Sequence, residues 1–237
     1  QIFMANISET SFGKRLDNAQ ALATNLQEFG NYSELNAELS IANLNSKVQE
    51  LLSTNTEVAT KIQTYSMTID AKQKIFLKAP NSISKIVTPV IANVRSIFGK
   101  NATETQNITN YITKIRGIKV ARSSTTENSQ TVSQSERSYG TLLQTFSDLI
   151  TTLATFGANY SPANAECSVT ELTQKRDLAT QINTKSIQDF GALKIARESR
   201  TAKYEQLSQL CQRFKETVKA QYGTQSVEYK LVKGLKI

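Results

Sequence analysis

The sequence has no histidine and no tryptophan, and its 237 residues include only two cysteines, three prolines and two methionines. Without histidine, Ser-His-Asp and Cys-His catalysis are excluded, and so is zinc or haem bound through imidazole. Two cysteines alone are too few for a structural zinc site or an iron–sulfur cluster. The sequence contains neither a P-loop nor a dinucleotide-binding glycine motif. We therefore expect a protein that is not an enzyme and that needs no metal or cofactor.

Long apolar runs are absent as well. No stretch approaches the ~18 apolar residues that a membrane-spanning helix requires, so we expect no transmembrane segment. The first residues, Gln1 to Met4, are too few, and the sequence after them is too polar, to act as a secretion signal. These features and the lack of a disulfide pattern favour a cytoplasmic location, although a signal peptide that had already been removed would leave the same chain.

Positive charge is concentrated towards the end of the chain. The whole sequence carries 28 Lys and Arg against 20 Asp and Glu, a formal net charge of +8. Residues 194–237 alone hold ten Lys and Arg and only four Glu. Such a zone is typical either of a surface that binds nucleic acid or lipid headgroups, or of ordinary solubility charge on long helices. The candidate anion-binding residues are Arg197, Arg200, Lys203, Arg213, Lys215 and Lys219.

The most informative pattern is an internal repeat. Five segments recur in the same order: 11–13 at 138–140 and 29–30 at 156–157 (offset 127), 32–40 at 160–168 (offset 128), 98–99 at 222–223 (offset 124) and 115–120 at 232–237 (offset 117). Because the order is preserved, a tandem duplication explains the matches better than coincidence. The sequence predicts an N-terminal extension (1–10), a first helical repeat (11–120), a polar linker (121–137) and a second helical repeat (138–237).

The changes in offset predict where the repeats differ. The fall from 128 to 124 indicates four extra residues in repeat 1, around 78–81, and the fall from 124 to 117 indicates seven extra residues after Gly99. Insertions of four and seven residues are close to one and two helical turns. They therefore leave an apolar stripe roughly in phase.

Each repeat has the apolar periodicity of helices. Spacings of three and four predict a helix A that ends at Gly30 in repeat 1 and at Gly157 in repeat 2. The next helix, B, carries a heptad-like stripe typical of a coiled coil. In repeat 1 that stripe is Ile41, Leu44, Val48, Leu51, Asn55, Val58, Ile62, Tyr65, Ile69, Lys72 and Phe76. A helix C and a short amphipathic tail (111–120 and 229–237) follow in both repeats. The apolar stripe of helix C is Ile83, Ile86, Val87, Val90, Val94 and Phe98 in repeat 1 and Leu207, Leu210, Cys211, Phe214, Val218 and Tyr222 in repeat 2.

Helix B is expected to start alike and to end differently in the two repeats. Its candidate caps are Asn36 and Asn164, with Ser40 and Ser168 as rivals. In repeat 2 no Gly or Pro interrupts residues 192–220, so helices B and C should form one helix from roughly Asn164 to Tyr222. In repeat 1, Pro80 must break or kink this helix.

Some polar and sulfur-bearing residues fall within the predicted stripes. Asn55 and Asn183 are equivalent, and a buried Asn can fix helix register; exposure to water is the alternative. Cys211 takes the position of Val87, which favours buried apolar packing over a reactive thiol or a metal ligand. In one continuous helix Cys167 and Cys211 would lie about 66 Å apart, too far for a disulfide.

The end of repeat 2 carries the pattern Tyr222-Gly223-x-x-Ser226-x-Glu228-Tyr229, followed by Val232-Lys233-Gly234. Together with the duplicated unit, this pattern resembles uncharacterised tandem-repeat α-helical proteins of Bacteroidota. The resemblance covers most of the chain and implies a helical fold, but it implies no activity.

These patterns predict an all-α fold, an elongated antiparallel helical bundle with coiled-coil character and pseudo-twofold symmetry between two repeats. The leading functional hypothesis is a non-enzymatic structural or interaction protein that assembles with itself or with another protein. The candidate self-association residues are Phe98, Gly117, Tyr222, Tyr229 and Gly234. The alternative is a basic protein that binds nucleic acid or lipid headgroups. Third is a membrane-active bundle, but its best candidate segment, 83–97, is interrupted as an apolar run by Pro89 and by two charged residues.

Overall fold

The computed structural model describes residues 7–117 and 134–237, with the side chains of 11–117 and 139–237. Every regular element in these residues is helical, which confirms the all-α class. They form seven α-helices: α1 (Ile7–Glu28), α2 (Ile41–Gln73), α3 (Ile83–Phe98), α4 (Thr103–Gly117), α5 (Gln134–Thr155), α6 (Val169–Tyr222) and α7 (Val227–Lys233). Helix α1 begins within the predicted N-terminal extension, and α5 begins within the predicted linker. The rest of that linker lies outside the described residues.

The chain divides into two compact units. Unit 1 contains the described residues up to Gln63 together with Ala192–Ile237, and unit 2 contains those of Thr64–Gly191. Unit 1 therefore holds α1, the first part of α2, the last part of α6, and α7. Unit 2 holds the last part of α2, helices α3, α4 and α5, and the first part of α6. Each unit thus combines segments from both predicted repeats.

Both long helices begin after the same capping sequence. The Oδ1 atom of Asn36 accepts a backbone amide at 3.0 Å and closes a 3-10 turn just before α2. The Oγ atom of Ser40 accepts another amide at 3.1 Å, from the first turn of α2. Asn164 and Ser168 accept amides in the same way before α6, at 3.1 and 3.2 Å. Both sets of predicted caps are therefore used, the Asn for the 3-10 turn and the Ser for the long helix.

The long helix is broken in repeat 1 and continuous in repeat 2, as predicted. Helix α2 is followed by five residues of π-helix, Lys74–Lys78, and α3 begins after Pro80. Proline disfavours a helical conformation in the residue before it, and Ala79, just before Pro80, has φ −59° and ψ 149°, outside the helical range. Helix α6 runs unbroken for 54 residues. It begins at Val169 rather than at Asn164 because Ser168 is its cap.

Helices α3 and α6 end at equivalent glycines. Gly99 and Gly223 have φ angles of 89° and 86°, in the left-handed region that glycine adopts most easily. The amide of each donates to a carbonyl four residues earlier at 3.0 Å. Tail helices follow both glycines, with 15 residues in α4 and seven in α7, and α4 begins eight residues before the predicted start of its tail at Tyr111.

The core of unit 1 lies where one face of α1 packs on α2 and α6. Two ion pairs show that α2 and α6 run antiparallel here. Glu38, in the turn just before α2, pairs with Arg213, whereas Glu50, later along α2, pairs with Lys203, which comes earlier along α6. The spacing of the buried residues on α1 is the one predicted for helix A. The buried core side chains include Leu16, Ala19, Leu22, Ala23 and Leu26 of α1, Leu44, Val48 and Leu51 of α2, and Leu207, Cys211, Phe214 and Val218 of α6.

The core of unit 2 is built around α3, α4 and α5. Pro89 lies inside α3 without ending it, in agreement with the predicted helix C, whose apolar stripe runs from Ile83 to Phe98. A proline removes one main-chain hydrogen bond, and the closely packed apolar face of α3 outweighs that loss. The buried core side chains include Ile83, Val87, Val90 and Val94 of α3, Ile108, Ile112 and Ile115 of α4, and Leu142, Phe146, Leu149 and Leu153 of α5.

Candidate interaction surfaces

Two of the candidate self-association residues, Phe98 and Gly117, lie in unit 2. Phe98 is the last residue of α3, and its ring centroid is 5.0 Å from that of Phe156, just after α5. The Phe98 side chain therefore already packs against the core of its own unit. Gly117 is the last residue of α4 and is exposed.

The other three candidates, Tyr222, Tyr229 and Gly234, lie in unit 1. The hydroxyl of Tyr222 donates to the carbonyl of Gly30 at 2.8 Å, and its ring centroid is 5.8 Å from that of Phe29. Tyr229 is half-buried against the same core, and Gly234 is the exposed residue that caps α7. Both tyrosines thus contribute to packing within the unit.

The exposed apolar surface at this end of unit 1 lies on α7. Val227 and Leu231 are 69% and 52% exposed, and they are one helical turn apart. Both residues point away from the core that holds Val232, which is fully buried. The sequence-based candidates in this tail are its aromatic and glycine residues, and they do not include this pair.

Three candidate anion-binding residues are ion-paired within unit 1. Hydrogen bonds from Lys47 and Lys203 lower the pKa of Glu50, which keeps that carboxylate charged. These pairs leave less free positive charge than the composition suggested, although exposed pairs are individually weak. The pairs are Lys203 with Glu50 (3.0 Å), Arg213 with Glu38 (2.8 Å) and Lys219 with Glu216 (3.2 Å).

The other three candidates differ in exposure. Arg197 is half-buried. Lys215 donates to the carbonyl of Leu235, and desolvation lowers the pKa of this lysine. Arg200 is only 4% exposed, and its guanidinium carbon lies 4.4 Å from the centroid of the Phe12 ring. The surface assignment is therefore wrong for Arg200, because this residue belongs to the buried stripe of α6.

Unit 2 has a buried cation of its own. Lys72 is 2% exposed; its Nζ donates to the hydroxyl of Ser186 at 3.0 Å and lies 4.4 Å from the ring centroid of Tyr139. Close by along the same helices, the Thr68 hydroxyl donates to Asp189 at 2.6 Å. A cation over an aromatic face is attracted by the ring's negative centre, more strongly where water is excluded. These polar side chains therefore connect α2, α5 and α6 within unit 2.

The aromatic partners of Lys72 and Arg200 do not follow from the sequence, although a signal for the burial of these two cations is present. Lys72 stands four residues before Phe76, and Arg200 stands four residues before Tyr204. Lys72 and Arg200 are 128 positions apart, and so are Phe76 and Tyr204. Each pair lies on helix B of its predicted repeat. A basic residue that recurs in this way on an apolar stripe is a candidate for a buried position.

The equivalent asparagines are also placed inside the units. Asn55 donates its Nδ2 to the hydroxyl of Tyr204 at 2.8 Å and so links α2 to α6 in unit 1. The Oδ1 atoms of Asn55 and Asn183 are buried and find no hydrogen-bond partner among the described residues. The cross-helix bond of Asn55 supports the register role over exposure to water.

The two cysteines are free thiols, and both are buried. Burial raises the pKa of Cys211 to about 12 and also raises the pKa of Cys167. Both thiols are therefore held in the protonated, poorly nucleophilic form. Tyr160 donates its hydroxyl to the Cys167 carbonyl at 2.9 Å, so this polar group too serves the packing of the chain.

Sites for small ligands are poorly developed. A shallow depression on α2 is lined by Ser53, Thr56, Glu57, Thr60 and Lys61, all on one helix. In the residues whose side chains are described, His, Cys, Asp and Glu form no group of three that could hold a metal ion. Of the helices within 7–117 and 134–237, none has the length and apolarity needed to cross a bilayer.

No protein-family model matches the chain, and no curated protein or solved structure is significantly similar to it.

Proposed function

We propose that the protein is a non-enzymatic structural or interaction protein that assembles with itself or with another protein through its helices. The observation that carries this proposal is where the charged and thiol side chains lie: they are packed between helices. Lys72, Arg200 and Asp189 contact side chains of other helices, and the two cysteines are buried as neutral thiols. Side chains that in an enzyme would face a substrate cavity here serve helix packing.

The tandem duplication belongs to the same proposal. Two features of the described residues support it: the Asn and Ser caps recur before α2 and α6, and a left-handed glycine ends both α3 and α6. The coiled-coil character is supported by the burial of Leu44, Val48, Leu51 and Val58, which follow the predicted three-and-four spacing. We further propose pseudo-twofold symmetry between the repeats, as expected for a duplicated chain that pairs with itself.

The proposed self-association surface is narrower than the five residues first suggested. Phe98, Tyr222 and Tyr229 are engaged in the cores of their own units. The exposed glycines Gly117 and Gly234 remain, and in unit 1 the exposed pair on α7 lies close to Gly234 along the chain. Apolar side chains this exposed are where association would remove the most surface from water.

Sedimentation velocity on the full chain, from low to high micromolar concentration, tests this proposal. We expect the sedimentation coefficient to rise with concentration, and the double variant Val227→Ser, Leu231→Ser to lose that rise. Met67→Ser, which changes an apolar residue of similar exposure on α2, is the matched control. Point substitutions are preferable to truncation at Gly223, which would also remove the buried Val232. Identical monomers at every concentration would contradict self-assembly.

Binding to an anionic polymer is the alternative function. The observation that favours it is the cluster of exposed lysines near the end of the chain, Lys230, Lys233 and Lys236. Cosedimentation with duplex DNA and with anionic vesicles at two salt concentrations separates the two functions. Binding that weakens steeply with salt would support the alternative, because released counterions drive such binding. We expect no such binding at physiological salt.

The membrane-active hypothesis ranks third. The apolar face of α3, its candidate segment, is buried in the core of unit 2 through Ile83, Val87, Val90 and Val94. Exposing this face to lipid would require unit 2 to open, and the apolar contacts of its core oppose that opening. Release of a dye from anionic vesicles measures this activity directly, and we expect none.

A further inference from the structure

A trio of side chains in unit 1 joins helix A of repeat 1 to the long helix of repeat 2. Phe12 of α1 has its ring centroid 4.6 Å from that of Tyr204 on α6. Arg200, one turn earlier on α6, has its guanidinium carbon 4.4 Å from the Phe12 centroid. Arg200 and Tyr204 are both buried, at 4% and 0% exposure. The aromatic ring of one repeat is therefore held by a cation and an aromatic ring of the other.

Unit 2 contains the matching trio with the repeats exchanged. Tyr139 of α5, in repeat 2, has its ring centroid 4.6 Å from that of Phe76 in repeat 1. Lys72, one turn earlier, has its Nζ 4.4 Å from the Tyr139 centroid. The offsets of the sequence repeat relate these residues pair by pair. The pairs are Phe12 with Tyr139 (127), Lys72 with Arg200 (128) and Phe76 with Tyr204 (128).

A second contact recurs at the other end of helix A. In unit 1 the Phe29 centroid lies 5.8 Å from that of Tyr222, and in unit 2 the Phe156 centroid lies 5.0 Å from that of Phe98. Phe29 corresponds to Phe156 at offset 127, and Phe98 corresponds to Tyr222 at offset 124. Again each contact joins helix A of one repeat to helix C of the other.

This exchange has the form of an interface between two like subunits. In an isologous interface, position i of one subunit contacts position j of the other, and j of the first contacts i of the second. Phe12 with Arg200 and Tyr139 with Lys72 satisfy that rule, with the two repeats in place of the subunits. A single repeat would leave the apolar face of its own helix A without this partner.

We infer that each repeat presents a self-complementary surface, helix A together with the late turns of helix B and helix C, whose partner is a second repeat of the same kind. Within one chain the other repeat fills this surface. Two copies of the chain can instead pair repeat 1 of each with repeat 2 of the other, because the contacts are the same in either case. This inference rests on the tandem duplication, which is part of the proposed function. It does not depend on self-association through the exposed residues of α7.

The test uses the full chain with a protease recognition sequence in place of residues 124–130, which lie outside the described residues. The folded protein is cut there. We expect the two pieces to elute together at the volume of the uncut chain and to unfold in one transition. Two separate folded species, each with about half the mass, would overturn the inference, since each repeat would then need no partner.

The uncut chain tests the exchange between copies. Chains are unfolded, refolded together at high concentration, and the dimer fraction is isolated and then cut. An exchanged dimer falls apart into particles of monomer size, because each half-chain stays with its partner repeat from the other copy. A dimer held through α7 keeps its dimer size after the cut, which would support the proposed function and overturn the exchange. Recovery of monomers alone would also overturn the exchange.

Substitutions show whether the trio carries the pairing. Phe12→Ala should weaken the association of the cut pieces at least about tenfold, because a packed aromatic side chain is lost. Gln20→Ala, an exposed change on the same helix, is the matched control and should leave it unchanged. Phe12→Tyr installs the residue that the other repeat uses and should preserve the association. Equal affinity for the alanine variant, the control and the wild type would overturn the role of the trio.

Discussion

The two compact units bury equivalent cores with differently built helices. In unit 2 the long helix stops before Pro80 and resumes as α3, whereas in unit 1 the corresponding part of α6 is continuous. The apolar residues before this difference match at offset 128, and those after it match at offset 124. Ile83, Val87, Val90 and Val94 in unit 2 correspond to Leu207, Cys211, Phe214 and Val218 in unit 1, and all are buried. The buried core therefore does not require a continuous helix, but it does require that the apolar stripe keeps its phase.

The tails show a second contrast. In unit 2, α4 buries Ile108, Ile112 and Ile115, while in unit 1 the shorter α7 buries only Val232 among its own residues. Polar bonds to the following segment accompany α7, including one from Asn18 Nδ2 to the Lys236 carbonyl at 2.7 Å. The comparison predicts that unit 1 depends more on polar contacts at this end than unit 2 does.

A buried charge in either core should have the largest effect. Val87→Asp in unit 2 and Phe214→Asp in unit 1 each place an unpaired carboxylate where the native side chain is fully buried. We expect losses of about 4 kcal/mol or more in the free energy of unfolding. Hydrogen exchange should show early loss of protection in the substituted unit, and thermal denaturation should show a lower melting temperature. Melting temperatures equal to that of the wild type would contradict the core assignment.

Removal of a methyl-rich side chain from equivalent sites should have a smaller effect. Leu22 of α1 and Leu149 of α5 correspond at offset 127, and both are fully buried. We expect Leu22→Ala and Leu149→Ala to cost about 3 kcal/mol each in urea unfolding. Leu52→Ala, at a residue 37% exposed on α2, is the control and should cost far less. A large effect at only one of the two sites would show that the units differ in stability.

Much of the helix layout could be predicted from the sequence because it is encoded locally. The stripes, the Ser caps, the break at Pro80 and the glycine ends each depend on residues within a few turns. Helix α3 continues through Pro89, as the helix C stripe predicts, because its apolar face is packed in the core of unit 2. The exchange of contacts could not be predicted, because periodicity shows which face of helix A is apolar but not which repeat covers it.

The candidate surfaces were harder to predict for the same reason. The local abundance of charge predicts a surface position for Arg200, yet its aromatic partner is Phe12, at the other end of the sequence. Lys203 and Arg213 likewise find their acidic partners, Glu50 and Glu38, on distant segments. Local composition counts these positive charges but does not reveal the contacts that neutralise or bury them.

Replacement of Cys211 by valine should sharpen the comparison, because valine is the residue at the equivalent position 87 of unit 2. In the folded protein the pKa of Cys211 is raised from 9.0 to about 12, so the thiol keeps its proton while the unfolded chain loses it. Above about pH 9 the unfolded state therefore binds fewer protons, and stability falls as the pH rises. We expect Cys211→Val to lessen this fall when urea unfolding is compared at pH 7 and pH 10. An unchanged fall would mean that other groups, such as Tyr32 with its pKa of about 12, dominate.

The smallest expected effects are at the caps of the two long helices, where the units are most alike. Ser40 and Ser168 each accept an amide hydrogen bond from the first turn of their helix, at 3.1 and 3.2 Å. An N-cap serine replaced by alanine leaves that amide without its partner, so Ser40→Ala and Ser168→Ala should each cost about 1 kcal/mol in urea unfolding. Thr56→Ala, on an exposed site inside α2, is the control and should be neutral or slightly stabilising, because its hydroxyl only bonds back to the carbonyl of Leu52. If the two cap variants lose different amounts of stability, beyond the error of the measurement, the caps match in hydrogen-bond geometry but not in their contribution to stability. The unit with the larger loss would then be the one whose long helix depends more on its first turn.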